Sequence, residues 1–157
     1  MAIYMEIEGI TGNVTEEGHA DWIEVDSLQW GIGRAISSEI GKAADRESSQ
    51  PSISEITVSK SMDEASPYLF TEACTGDGKT VTIDICKTGQ AVEAFMSYEL
   101  ENCMLSGYSV SSGGDRPTET ISLSFTKITM TYTPTLETGE LGDPIPAGYD
   151  METAKSI

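Results

Sequence analysis

The chain has 157 residues, 38% of them hydrophobic, enough to bury one substantial core and too many for a disordered segment. Twenty-six acidic residues against nine basic ones leave a formal net charge of −17. Such a surface repels phosphate backbones and anionic lipid, and no apolar run approaches the ~20 residues that span a bilayer, so neither nucleic-acid binding nor membrane insertion is expected.

In chain order, Met1-Ala2-Ile3-Tyr4 has neither the basic region nor the apolar run of a secretory signal, which predicts folding in the cytoplasm. Ile3, Met5 and Ile7 then alternate with Tyr4, Glu6 and Glu8, the period-two pattern of a strand with one buried face. Ile23 and Val25 continue the pattern, followed by Leu28, Trp30 and Ile32 in the opposite phase. The slip predicts a bulge near Asp26-Ser27. Trp30, in phase with Leu28, is expected in the core; Trp22 leaves core and surface both open. Residues 37–52 are polar and without periodicity, longer than an ordinary connection, and are read as a functional arm or a disordered loop.

Ile56 and Val58 form the next strand. Ser66 and Pro67 then open a short helix in which Leu69, Phe70, Ala73 and Cys74 make one apolar stripe, with Gly76 as a left-handed cap. Val81-Thr82-Ile83-Asp84-Ile85 is the cleanest strand. Ala91 to Met96 favours helix by propensity, whereas Tyr98, Leu100, Asn102 and Met104 alternate. Ser111 to Pro117 reads as a turn. Ile121, Leu123 and Phe125 slip in phase against Ile128, Met130 and Tyr132, predicting a bulge at Thr126-Lys127 in one strand of roughly 40 Å. The tail, 135–157, reads as extended and packed only in part. The whole chain, 1–157, is taken as a single domain, mainly β, with two curved antiparallel sheets in a barrel-like sandwich and one short α-helix.

No motif carries chemistry. Gly76-Asp77-Gly78-Lys79-Thr80 ends like a phosphate loop but has Ala73 where the first glycine belongs, and a helix precedes it where a strand should. His19 is the sole histidine, without a nucleophile motif or a second metal ligand, and reads as a surface or turn residue. The carboxylates form no calcium loop and are expected to be solvated. Cys74, Cys86 and Cys103 are odd in number, without a C-x-x-C pair, and are expected to be reduced and mostly buried. No catalytic residue, metal or cofactor is therefore expected. The residues alone point to a soluble, acidic, self-associating or binding module.

Several ordered motifs carry a resemblance to a known family. Met5-Glu6-Ile7-Glu8-Gly9-Ile10-Thr11-Gly12 opens it, and Gly18-His19-Ala20-Asp21-Trp22-Ile23-Glu24-Val25 follows. The most specific are Val58-Ser59-Lys60-Ser61-Met62-Asp63-Glu64-Ala65-Ser66-Pro67, Val81-Thr82-Ile83-Asp84-Ile85-Cys86-Lys87 and Gly113-Gly114-Asp115-Arg116-Pro117-Thr118-Glu119. In this set the chain resembles the Hcp family, the inner-tube proteins of type VI secretion systems. Residues 36–52 and the tail after Leu136 align least.

The resemblance implies a homohexameric ring that stacks into a tube. Its partners are further copies of itself, the contractile sheath, the baseplate, the spike and effector proteins. The tube is expelled from the cytoplasm without a signal peptide, and its lumen is a place for effectors. Gln29, opposite in phase to Leu28 and Trp30, is the candidate lumen-facing residue. Glu39, Lys42, Asp45 and Arg46 on the 37–52 arm are the candidate ring-stacking contacts. The alternatives are a phage-tail-like tube subunit of another contractile particle and a monomeric β-sandwich binding module.

Overall fold

A computed structural model describes residues 1–38, 40, 46–48, 50–88 and 92–157, giving only the backbone at 38 and 46–48. After β1 (Ala2–Ile7) come a 3-10 turn (Glu17–His19), β2 (Ile23–Val25), β3 (Ser27–Gln29), β4 (Ile32–Gly33), β5 (Ile36–Ser38) and β6 (Arg46–Ser48). Then follow β7 (Ser52–Ile53), β8 (Ile56–Ser61), α1 (Ser66–Thr75), β9 (Lys79–Lys87) and β10 (Glu93–Ser111). The chain closes with β11 (Thr118–Ser124), β12 (Lys127–Tyr132), β13 (Ile145–Asp150) and β14 (Lys155–Ser156).

The strands make two antiparallel layers. One runs β14-β13-β12-β10-β9-β1-β2, the other β10-β11-β8-β3. β10 belongs to both. Its 19 residues pair with β9 and β12 through their first half and with β11 through their second. The passage between layers is marked by register shifts at Leu100/Cys103 and Leu105/Gly107 and by Asn102 at φ 51, a left-handed conformation that Asn tolerates better than most residues. Between the layers lie Met5, Ile7, Ile23, Ile56, Val58, Ile83, Leu100, Ile121 and Leu123, each buried, with Leu69 of α1 among them. Each such side chain contributes about 1.5–3 kcal/mol on leaving water. The mainly β sandwich with one short helix is as expected; the sheet does not close into a barrel.

Several local expectations change. Both phase slips are crossings between layers rather than bulges. β2 pairs with β1 and β3 with β8, while β11 pairs with β8 and β12 with β10, so the chain changes partner at Asp26 and at Phe125-Thr126. The long strand is β10, and residues 121–132 are two strands. From Glu93 onward the Ala91–Met96 segment is strand, where sheet pairing overrides helix propensity; Ala91 lies outside the described residues. At the 37–52 arm, β5 and β6 pair antiparallel, Ile36↔Ser48 and Ser37↔Glu47, and the tail adds β13 beside β12.

α1 also differs in detail. Ala65 is the N-cap, and the Ser66 hydroxyl accepts from the Asp63 amide instead of capping. Gly76 sits at φ −70 and is not a left-handed cap. Leu69 is buried and Ala73 half-buried, but Phe70 and Cys74 face outward.

Candidate assembly surface

Two charged clusters hold the frame. Lys60 continues the inward phase of Ile56 and Val58 on β8, and Glu119 that of Ile121 and Leu123 on β11; the two are register partners. Neither side chain has exposed surface. Lys60 Nζ donates to Glu119 Oε1 at 2.6 Å, to Asp63 Oδ1 at 2.9 Å and to the Ser61 carbonyl at 2.9 Å. The hydroxyls of Ser66 (2.8 Å) and Tyr108 donate to the two Glu119 oxygens. The Asp63 carboxylate also accepts from the Ala65 amide. One ammonium thus ties β8, β11 and the start of α1, and no described buried side-chain N or O lacks a partner.

The second cluster covers the other face of β1 and β9. His19, expected at the surface, is 6% exposed. Its Nδ1 meets Glu16 Oε2 at 2.5 Å and its Nε2 meets Asp84 Oδ2 at 2.9 Å, with the rings of Tyr4 and Trp22 at 4.9 and 4.6 Å. Burial pulls the imidazole pKa down, but hydrogen bonds to Glu16 and Asp84 and their charges outweigh it, so the net shift is upward. Glu16 is held below its ordinary value by the Gly18 amide and by His19. Residues 13–22 therefore fold onto a strand face that alternation marked as wet.

This histidine does not make a nucleophile. Cys86 Sγ lies 3.8 Å from Nε2, yet burial and then the charges of Asp84 and Glu16 push the thiol up to about 11. Burial raises Cys103 to about 12. Cys74 is the exposed thiol; all three are free. Among the described residues no group of three or more His, Cys, Asp or Glu is arranged to hold a metal ion.

What the molecule does offer is surface. β2, β3 and β14 each pair with one neighbour only and are sheet edges. Between β3, β4 and β7 on one side and β12 and β13 on the other, the sandwich gapes into an apolar seam of about 160 Å³. Trp30, Ile53, Met130 and Tyr149 line it, and Ile32 is 58% exposed at its rim. Trp30 packs edge-on against Tyr98, 5.6 Å between centroids, so it is half core and half seam. Gln29 is exposed opposite Thr57, with Leu28 turned toward the core as expected. Glu39, Lys42 and Asp45 lie outside the described residues, and of Arg46 only the backbone pairing with Ser38 is given.

Comparison with known proteins settles the family. The profile described as "Type VI secretion system effector, Hcp" matches residues 4–132. The chain belongs to the Hcp family. A solved type six secretion system protein is 30% identical to this Hcp chain, covers 99% of both chains and superposes with a TM-score of 0.91. Hcp1 from Salmonella typhimurium is 25% identical over 99% of this chain and 98% of its own, at 0.81. A type VI secretion system effector from Yersinia pestis, 21% identical over 94% and 98%, shares the fold at 0.74. No curated protein matches. The Lys60 and His19 clusters lie within the segment that the Hcp profile spans.

Proposed function

We propose that this Hcp chain is a structural subunit, not an enzyme, that closes head-to-tail into a hexameric ring and stacks as the inner tube of a type VI secretion machine. The observation that carries the reading is a family-wide fold whose sheet stays open, with edges and an apolar seam left uncovered on a chain of net charge −17. Strand edges and apolar patches of that kind are normally covered, and identical copies arranged by rotation cover them without a second protein. Sheath, baseplate and spike would surround the tube and effectors occupy its lumen, the whole leaving the cytoplasm by expulsion. Gln29 is assigned to the lumen, and the 37–52 arm, with Glu39, Lys42, Asp45 and Arg46, to contact with the next ring.

Negative-stain images with a native mass test this directly. Annular particles at six times the 16.8 kDa of the chain are expected. A sample that stays at 16.8 kDa at high concentration overturns the reading and favours a monomeric binding module.

A further inference from the structure

The helix carries a second apolar stripe that the fold does not use. Pro67, Phe70 and Cys74, spaced i, i+3 and i+7 on the face away from Leu69, are all exposed, Phe70 by 59%. The ten residues of α1 include one charge, Glu72, and Lys79 pairs with it at 2.9 Å. Among the described residues, none that lines the seam is charged. In a chain with 22% charged residues, these are two places where a pair of copies can touch without bringing carboxylates together.

Their positions suit a head-to-tail contact. Ile53 precedes the Ile56 end of β8, where Gln29 pairs with Thr57, whereas α1 follows from the Ser61 end. The start of α1 is tied to the Ser61 end of β8 through Ser66 and Glu119, and the seam opens beyond the Ile56 end. Size agrees as well: an apolar space of ~150 Å³ accommodates one benzene ring, and the seam, an open groove, offers about 160 Å³.

We infer that the phenyl ring of Phe70 on one copy seats in the Trp30–Ile53–Met130–Tyr149 seam of the next, with α1 lying along it, so that this pair of patches is the contact that closes the ring. The inference rests on the ring reading and names its interface. It follows the helix-in-groove mode of recognition, in which one buried aromatic anchor dominates affinity.

Cysteine cross-linking tests it, because Cys74 is one turn, ~5.4 Å along the helix, from Phe70. Ile53→Cys and, on the other wall, Ala147→Cys are each oxidised with oxidised glutathione while Cys86 and Cys103 stay buried. The expected result is a ladder of disulfide-linked oligomers from either variant, absent from the unsubstituted chain and reversed by reductant. Phe70→Ser is expected to raise the ring's dissociation constant at least about tenfold, with Tyr68→Ser, equally exposed on the opposite flank of the helix, changing little. Annular particles that give no ladder and survive Phe70→Ser overturn the interface and leave the ring standing. An unsubstituted chain that forms no annular particles overturns the ring reading itself.

Discussion

Lys60 and Glu119 face each other across β8 and β11 as register partners, 2.6 Å apart and wholly without solvent contact. The ammonium serves two carboxylates, since Asp63 shares it at 2.9 Å. Removing the cation alone leaves both carboxylates uncompensated in the core. Lys60→Met is therefore expected to cost about 3–5 kcal/mol, read as a lowered urea midpoint. Adding Glu119→Gln should recover part of that loss. A double variant whose loss equals the sum of the single losses would show that the two side chains do not act as a pair.

His19 makes stability depend on pH with a defined sign. Its pKa is raised in the fold, so its contribution is complete below its ordinary 6.5 and is lost as pH climbs through the raised value. Glu16 is lowered, so its contribution is complete above its ordinary 4.5 and is lost as pH falls through the lowered value. Between 4.5 and 6.5 both are present. The difference in urea midpoint between the unsubstituted chain and His19→Gln should be largest in that interval and shrink toward alkaline pH. The other titratable groups that face the ring are Tyr4, Asp84 and Cys86.

Asn102 sits at φ 51 where β10 passes between layers. A β-branched residue does not adopt that conformation readily, so Asn102→Val is expected to destabilise by about 1–2 kcal/mol, while Asn102→Gly should be close to neutral. Thermal melts of the two variants check it.

The stacking assignment separates rings from tubes. Deleting Glu39 to Gln50 should leave annular particles intact and abolish their stacking in negative stain; tubes of unchanged length would refute the assignment. On the proposed assembly, six copies at −17 each would also repel the next ring until salt shortens the screening distance, ~8 Å at physiological ionic strength. Stacking should rise as salt is added, and tubes that dissolve in moderate salt would count against this.

Gln29→Arg should alter retention of co-purified effector without breaking the ring. Unchanged retention would move Gln29 out of the lumen.

Alternation made the strands legible because each buries one face: Ile3–Ile7, Ile23–Val25, Ile56–Val58 and Val81–Ile85 all lie where their periodicity places them. It could not distinguish a bulge from a change of partner at Asp26 or Thr126, since both shift the phase by one. The Lys60–Glu119 pair is also in phase with the apolar positions, and two opposite charges at inward positions of neighbouring strands mark a buried pair rather than solvated charge. His19 left no such mark. Its partner Asp84 lies 65 residues away on a face that only the folded 13–22 loop covers. For the helix, the four apolar positions make two stripes, because a 100° step turns Phe70 away from Leu69 and out of reach of the core.

β10 has a mechanical consequence. One unbroken backbone is hydrogen-bonded into both halves of the molecule, so neither half can peel away unless the other gives up its own pairing. Under shear, the load passes through covalent bonds instead of a slip plane between sheets. Amide protons of β9 and β11 should then exchange together, as one cooperative unit.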